Sequence, residues 1–281
     1  MKYKMICIDM DGTLLNKRKK ISSVDKEAIK RAHDIGVEIV VTTGRLYNNA
    51  AYFSQILGVD SPVIAGNGAV VMDKKNNDII YECYIPEKEC NAILNIINKY
   101  KTFYQFNTND SIYVNRWITN MATKIYMSKQ VYDEKLSIKY KNVESVSEWR
   151  NVFDENNGYI AKCIVATPIK STILKIRDEL NKIPDIVSYA SGSHSLEINY
   201  KGVSKGNAVS ELISKYGIKK EELICIGDNE NDISMIKFAG PGVAMENAIN
   251  EVKEVADYIT DSNKNNGVAK VINKFIFNDK E

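Results

Sequence analysis

Histidine and cysteine are scarce in this chain, with two and five among 281 residues. The cysteines stand at positions 7, 83, 90, 163 and 225 with no metal-type pair among them. A zinc centre or a disulfide framework is therefore not what organises the chain, and the thiols read as reduced and packed. His194 lies between two serines with no Cys or His partner, which makes a poor metal site, and His33 reads as a solvated helix residue. Charge of one sign is also lacking: 38 Lys and Arg stand against 36 Asp and Glu. That balance gives no polyanion-binding signal, so nucleic acid is not an expected partner. No apolar run approaches the roughly 18 residues of a membrane span. Internal repeats and low-complexity linkers are missing too. The first strand-like run begins at once, which leaves no room for a signal peptide. These absences lead us to expect a soluble cytoplasmic protein with no membrane partner, and they leave its oligomeric state open.

What is present suits a folded chain with substantial cores. Its length allows one large domain or two moderate ones, and 44% of its residues are hydrophobic. Strand-like and helix-like segments alternate at both ends. Met5 to Ile8 reads as a buried strand. Ser22 or Ser23 can cap a helix with Ala28, Ile29, Ala32 and Ile35 on one face, which Gly36 ends. Val37 to Thr42 and Val63 to Ala65 follow as strands around a helix from about Asn48 to Leu57. A Gly66-Asn67-Gly68 turn comes next, then a hairpin of Val70 to Met72 and Ile79 to Tyr81. From Leu196 the alternation resumes, with a helix from Val203 to Tyr216, a strand from Leu223 to Ile226, a helix expected over Asn247 to Ala256 and a last helix at the C-terminus. The middle reads differently, and from Trp117 to Asn157 no clean period emerges. We therefore expect an α/β protein. It has a Rossmann-like parallel-sheet core with helices on both faces, formed by residues 1–83 and 191–281, and an inserted α+β cap domain at 84–190.

The chemistry-bearing residues sit at strand ends. Asp9 and Asp11 leave the first strand at i and i+2, so both side chains can converge on one substrate atom. One can attack and the other can move a proton. Two aspartates beside Gly12-Thr13 could equally form a solvated turn. Three distant segments argue against that: Val41-Thr42-Thr43-Gly44-Arg45, Lys201-Gly202-Val203-Ser204-Lys205-Gly206, and Ile226-Gly227-Asp228-Asn229-Glu230-Asn231-Asp232. In open parallel sheets ligands bind outside the carboxyl ends of the strands, where Asp9, Thr43 and Asp228 all fall.

These four segments, in this order and across essentially the whole chain, resemble the haloacid dehalogenase superfamily of phosphohydrolases, most closely its Cof-type branch with a large α/β cap. The resemblance implies a phosphatase of small phosphorylated metabolites, such as sugar phosphates or cofactor phosphates of the pyridoxal phosphate or flavin mononucleotide kind, working through an aspartyl-phosphate. A carboxylate attacking a phosphate dianion meets like-charge repulsion, which Mg²⁺ bound by oxygen ligands offsets. Asp9 and Asp228 are the expected side-chain ligands, and the resemblance adds the backbone carbonyl of Asp11. Asp9 is the expected nucleophile and Asp11 the acid and base. Lys205 supplies a second positive charge, and Thr43 offers a hydroxyl to an equatorial phosphoryl oxygen. The resemblance also implies phosphate contacts from the backbone of Met10 and Gly44 and from Asn231. Asp232 is expected either in the wider metal shell or orienting Lys205.

Other residues carry less. Arg45 could reach substrate, although an arginine beside acidic loops is more often a local ion pair. Lys17 to Lys20 reads as a solvated loop. In the insert Tyr104, Tyr113, Trp117 and Tyr126 could bind a ring or sugar, but aromatics at period two usually pack. Tyr113 and Arg116 are nevertheless expected to be exposed there, with the cap choosing the substrate. Two rival functions stay open: a phosphomutase, and a phosphorylation-dependent signalling or binding module without multiple turnover.

Overall fold

The computed structural model describes residues 2–76, 78–115, 137–156 and 158–278. Residues 116–136, and with them Arg116, Trp117 and Tyr126, lie outside the described residues. The chain forms two compact units: Met1–Arg45, Phe53–Glu82 and Ser204–Glu281 in the first, and Leu46–Tyr52 and Cys83–Val203 in the second.

In the first unit the strands are β1 (Met5–Ile8), β2 (Glu38–Thr42), β3 (Val63–Ala65), β4 (Val70–Met72), β5 (Ile79–Glu82), β12 (Leu223–Gly227), β13 (Gly242–Ala244) and β14 (Tyr258–Ile259). They form one sheet in the order β14-β13-β12-β1-β2-β3-β4-β5. Pairings from β14 through β3 are parallel, while β3–β4 and β4–β5 are antiparallel. The sheet is thus parallel only up to the edge hairpin. All four residues of β1 and all five of β12 are buried, as strands covered on both faces must be, and this explains their unbroken apolar runs. From β1 the chain winds outward through β2 and β3, and its later part builds the other half from β12. The order therefore reverses between β1 and β12, where an open α/β sheet forms a crevice at its carboxyl edge.

Helix α1 (Ser23–Asp34) is capped by Ser22, whose hydroxyl accepts from the Asp25 N–H at 2.9 Å. Its buried face carries Asp25, Ala28, Ile29 and Ala32. Ile35, expected on that face, closes the helix and is 51% exposed. Asp25 is nearly inaccessible, and its carboxylate accepts from the N–H of Ala269 at 2.9 Å. That bond ties α1 to the C-terminal helix Gly267–Ile272. The helix expected over Asn247 to Ala256 shortens to Asn250–Lys253.

The second unit holds a six-stranded sheet in the order β10-β11-β9-β6-β7-β8. Its strands are β6 (Phe103–Asn107), β7 (Ser111–Val114), β8 (Lys139–Asn142), β9 (Lys162–Ala166), β10 (Ile186–Ala190) and β11 (Ser195–Tyr200). The boundary expected at residue 190 moves, because β11 pairs antiparallel with both β10 and β9. Its hydrogen bonds commit it to this sheet, and the unit runs to Val203.

Helices α3 (Glu87–Asn98), α4 (Val146–Glu155) and α5 (Lys170–Leu180) pack their apolar stripes on one sheet face, building a core around Phe106, Trp149, Phe153, Cys163, Val165, Leu196 and Ile198. A capping box at Ser145 and Glu148 starts α4 within the stretch whose sequence shows no clean period. Tyr104 packs edge-on to Phe106 and against Trp149. Tyr113, expected at the surface, is 4% exposed and belongs to this core; its position in β7 turns it to the helix side.

Phe106 is fully buried, with ring centroids 5.1 Å from Trp149 and 4.8 Å from Phe153. Phe106→Ala removes the centre of this cluster and is expected to destabilise the unit by about 3–5 kcal/mol. Urea unfolding followed by tryptophan fluorescence measures it, and a loss below ~1 kcal/mol would show that the cluster does not act as one packed core.

Candidate active site

Parallel pairing in register brings the ends of β12, β1 and β2 to one edge: Ile8 pairs with Ile226 and with Val41. Asp9, Asp228 and Thr43 follow directly. Asp9 is 6% exposed and Thr43 1%. The turn after β1 closes with N–H bonds from Leu14 to Asp9 O at 3.2 Å and from Leu15 to Met10 O at 2.8 Å, and the Met10 side chain is buried. Gly12 is required in that turn. Its φ is +95°, and a Cβ there would lie 2.2 Å from Asp228 Oδ2. That close approach lets Thr13 Oγ1 donate to Asp228 Oδ1 at 2.7 Å.

Lys205 opens helix α6 (Lys205–Tyr216), which is capped by Ser204. Its side chain has no exposed surface, and Nζ donates to Asp9 Oδ1 at 2.5 Å and to Asp232 Oδ1 at 2.6 Å. Asp232, in the turn before helix α7 (Ile233–Phe238), has its other oxygen filled by the N–H groups of Asp228 at 2.9 Å and Asn229 at 3.0 Å. Both oxygens are thus occupied in holding Lys205 and the loop of Asp228. Carboxylate oxygens of Asp9, Asp228 and Asp232 lie within 4.8 Å of one another.

Three carboxylates thus face one ammonium. Burial, and next the charge of Asp232, push the Asp9 carboxyl well above its ordinary range; Lys205 offsets only part of this. Burial and Asp232 likewise raise Asp228 to about 7 against the hydrogen bond from Thr13. Burial alone would lower Lys205, but Asp232 and Asp9 outweigh it and hold the ammonium charged. The surplus of negative oxygen donors in a small space fits a hard divalent cation such as Mg²⁺.

Asp11 stands apart from this cluster. Arg45 grips it with both branches, Nε to Oδ2 at 2.6 Å and a terminal nitrogen to Oδ1 at 2.7 Å, and Lys19 Nζ reaches Oδ1 at 2.6 Å. Burial would raise its carboxyl, but Arg45 and then Lys19 hold it well below the usual range. The ion-pair reading of Arg45 therefore describes this arrangement, and Lys19 is not merely a solvated loop residue. Asp11 is held as a carboxylate here.

Asn231 Nδ2 donates to Asn67 Oδ1 at 2.9 Å, and the Asn67 N–H donates to Thr43 O at 3.0 Å. Asn67 thus joins the loop after β2 to the loop after β12, a role the sequence reading did not assign. Its place between two glycines was the available signal, and its φ of +65° is the left-handed conformation that an asparagine tolerates. Asn247 and Asn263 were also missed. Asn247 Nδ2 donates to Gly12 O and Asn263 Nδ2 to Leu15 O, both at 2.8 Å. An asparagine in a polar loop carries no signal of such contacts. Gly44 follows Thr43 in the loop after β2. His194 is exposed, with Nδ1 2.7 Å from Ser193 Oγ.

A sequence model of the haloacid dehalogenase-like hydrolases matches residues 6–272. The chain belongs to that family. Two Bacillus subtilis relatives named as 5-amino-6-(5-phospho-D-ribitylamino)uracil phosphatases, YwtE and YcsE, are 30% and 31% identical; each alignment covers 97% of this chain and 98% or 96% of the relative. Among solved structures the subclass IIB sugar phosphatase BT4131 superposes with a TM-score of 0.78 at 27% identity, covering 97% of this chain and 98% of that one. The protein is accordingly a phosphatase of the Cof-type, subclass IIB branch, with an α/β core and a cap. Membership of a family of enzymes removes the binding-module alternative. No helix among the described residues is long and apolar enough to cross a membrane.

A pH dependence follows from the crowded carboxylates. Asp9 and Asp228 are raised in the folded state, so the native protein holds more protons than the unfolded chain between about pH 4 and 7, and stability falls as pH rises through that window. With chelator present, Tm is expected to drop from pH 5 to 7.5, and Asp228→Asn to flatten the drop. Calorimetry at several pH values tests this; a Tm that rises over the window contradicts the charge balance.

Proposed function

We propose that this protein is a Mg²⁺-dependent phosphatase of small phosphorylated metabolites that works through an aspartyl-phosphate on Asp9. The observation that carries the reading is the buried Lys205 bridging Asp9 and Asp232 beside a protonation-prone Asp228. Lys205 and a hard cation held by Asp9, Asp228 and the Asp11 carbonyl would keep Asp9 ionised and lower the repulsion toward a phosphate dianion. When bound, the cation supplies positive charge to the transferring oxygens. Everything else falls to the chain.

Asp9 attacks phosphorus in line, forming an acyl phosphate as the bond to the leaving oxygen breaks, and Asp11 gives that oxygen its proton. Water then attacks the same phosphorus, its proton passes to Asp11, and the bond to Asp9 breaks to release orthophosphate. Thr43, the backbone of Met10 and Gly44, and Asn231 would hold the equatorial oxygens, with Lys205 balancing their charge. Asp232 positions Lys205.

Asp11 cannot act while Arg45 and Lys19 hold it ionised. An arriving phosphate dianion competes for both cations, and losing them lets the Asp11 carboxyl rise into a range where it can carry a proton. Substrate arrival would then itself prepare the acid.

The substrate class proposed is sugar phosphates or cofactor phosphates. It draws support from relatives named for a phosphoribitylamino-uracil and from a solved sugar phosphatase. We place the reaction in the cytoplasm, with none of the five cysteines in a disulfide, and assign substrate choice to the second unit.

A phosphate-release screen over phosphorylated sugars, nucleotides and cofactors, with Mg²⁺ and with chelator, tests the reading. Activity undiminished by chelator would remove the metal. Asp9→Asn keeps the shape but not the nucleophile and is expected to lower kcat by at least ~10³-fold while Tm stays near wild type; substantial residual turnover in purified protein would reassign the nucleophile. Asp11→Asn is expected to cost about 10²- to 10⁴-fold on alkyl esters and much less on activated aryl esters, whose leaving groups need little protonation. Equal losses on both would argue that Asp11 serves structure alone.

A further inference from the structure

The turn between β3 and β4 carries no residue of the proposed chemistry, yet the loops that do carry it close on this turn. The Gly66 N–H donates to Arg45 O at 2.9 Å and the Asn67 N–H to Thr43 O at 3.0 Å, so the turn holds the loop after β2 at two points. At Gly68, where φ is +100°, a Cβ would lie 2.3 Å from the carbonyl oxygen of Ser204, the residue that caps α6 directly before Lys205. The Asn67 side chain makes a further contact, its Oδ1 accepting from Asn231 Nδ2 at 2.9 Å. All of these residues belong to the first unit.

Asn67 is completely buried, whereas Asn231 is half-buried. A glycine would satisfy the left-handed backbone of this turn with less strain, and a glycine stands on either side. Only a side chain reaches Asn231. A primary amide has two N–H donors in one plane. With one of them given to Asn67 Oδ1, the plane of the Asn231 amide is set and the direction of its second N–H is set with it. Thr43 is oriented by its own loop: its Oγ1 accepts from the Arg45 N–H at 3.2 Å, so the hydroxyl has its own proton to give. The turn thus steadies two donors on loops that follow different strands.

We propose that Asn67 is a positioning residue, whose side-chain oxygen aims the Asn231 amide at an oxygen of the bound phosphoryl group. The inference rests on the phosphatase reading for what Asn231 meets, and it deepens that reading by naming what holds Asn231 in place. A donor held by a buried partner need not reorganise as charge builds on the phosphoryl oxygens, and there its fixed direction lowers the barrier. The phosphoryl group is the same in every ester, so this contribution does not depend on the leaving group. In that it differs from the role proposed for Asp11.

Asn67→Gly tests it, since glycine keeps the left-handed turn and removes only the side chain. kcat is expected to fall about 10- to 10²-fold, by one factor on alkyl and activated aryl esters alike, with KM within about threefold of wild type. In an Asn231→Ala background the same substitution is expected to change kcat less than about twofold, because the residue it acts through is gone. An undiminished loss in that background, a loss confined to alkyl esters, or full activity in Asn67→Gly overturns the proposal. Should Asn67→Gly not fold, the wild type decides by NMR with ¹⁵N-labelled asparagine, Asn231→Ala serving to assign the side-chain signal. Orthovanadate with Mg²⁺ is expected to shift one Asn231 amide proton and leave the other, bonded to Asn67, in place; any other pattern overturns the proposal. A wild type that releases phosphate from no ester removes the phosphatase reading, and the same spectrum with orthophosphate then decides the aim of Asn231 separately: one shifted proton supports it, and none overturns it.

Discussion

A fully buried ammonium between two buried carboxylates fixes the geometry of the candidate site. Lys205, Asp9 and Asp232 meet at 2.5 and 2.6 Å with almost no solvent access. Desolvating three charges is expensive, and only their mutual attraction and full hydrogen bonding return it. Asp232 completes that bonding with two backbone N–H groups of its own loop. Charge, loop and helix start are thereby coupled. The N-terminus of α6, the end of β1 and the turn before α7 cannot shift independently without stranding a charge in low dielectric.

The same arrangement leaves a deliberate imbalance. One lysine does not neutralise three carboxylates, and burial, with the charge of Asp232 next, raises Asp228 to about 7. A site whose own charges were matched would have little use for a cation. The surplus sits at the reversal point of the sheet, between β1 and β12, where the loops diverge and leave room. Asp11, two residues from Asp9, escapes the crowding because Arg45 and Lys19 take its charge. Two carboxylates of one short motif therefore have opposite proton affinities before any ligand arrives, Asp9 raised and Asp11 lowered, and the proposed roles need that order reversed when cation and substrate bind.

The second unit solves a different problem. Its helix-side core is an aromatic and aliphatic cluster of the ordinary kind, built by Phe106, Trp149 and Phe153. Its other face divides into an apolar part under Leu46 and a polar part around Lys162 and Glu197. The sheet can afford a polar face only because the opposite one supplies its burial.

Asp9, Thr43, Lys205 and Asp228 were legible in the sequence because each sits at a strand end or helix start that periodicity marks, within a motif whose residue types suit phosphate. The α/β core was legible for the same reason, from β1 to the hairpin of β4 and β5. Partner choice was not legible. Ser195–Tyr200 alternates as a strand in any sheet, and only its hydrogen bonds to β9 and β10 assign it to the second unit. Tyr113 could have faced either way, since a period of two states alternation but not which side is covered. The grip of Arg45 on Asp11 spans 34 positions, and the asparagine contacts to Gly12 and Leu15 span more than 200. Local sequence determines backbone periodicity and the kind of chemistry available, because those depend on neighbours along the chain. Which oxygen meets which nitrogen, and so which carboxyl holds a proton, was decided by tertiary structure, because electrostatic energy in a buried site depends on distances that only the assembled fold sets.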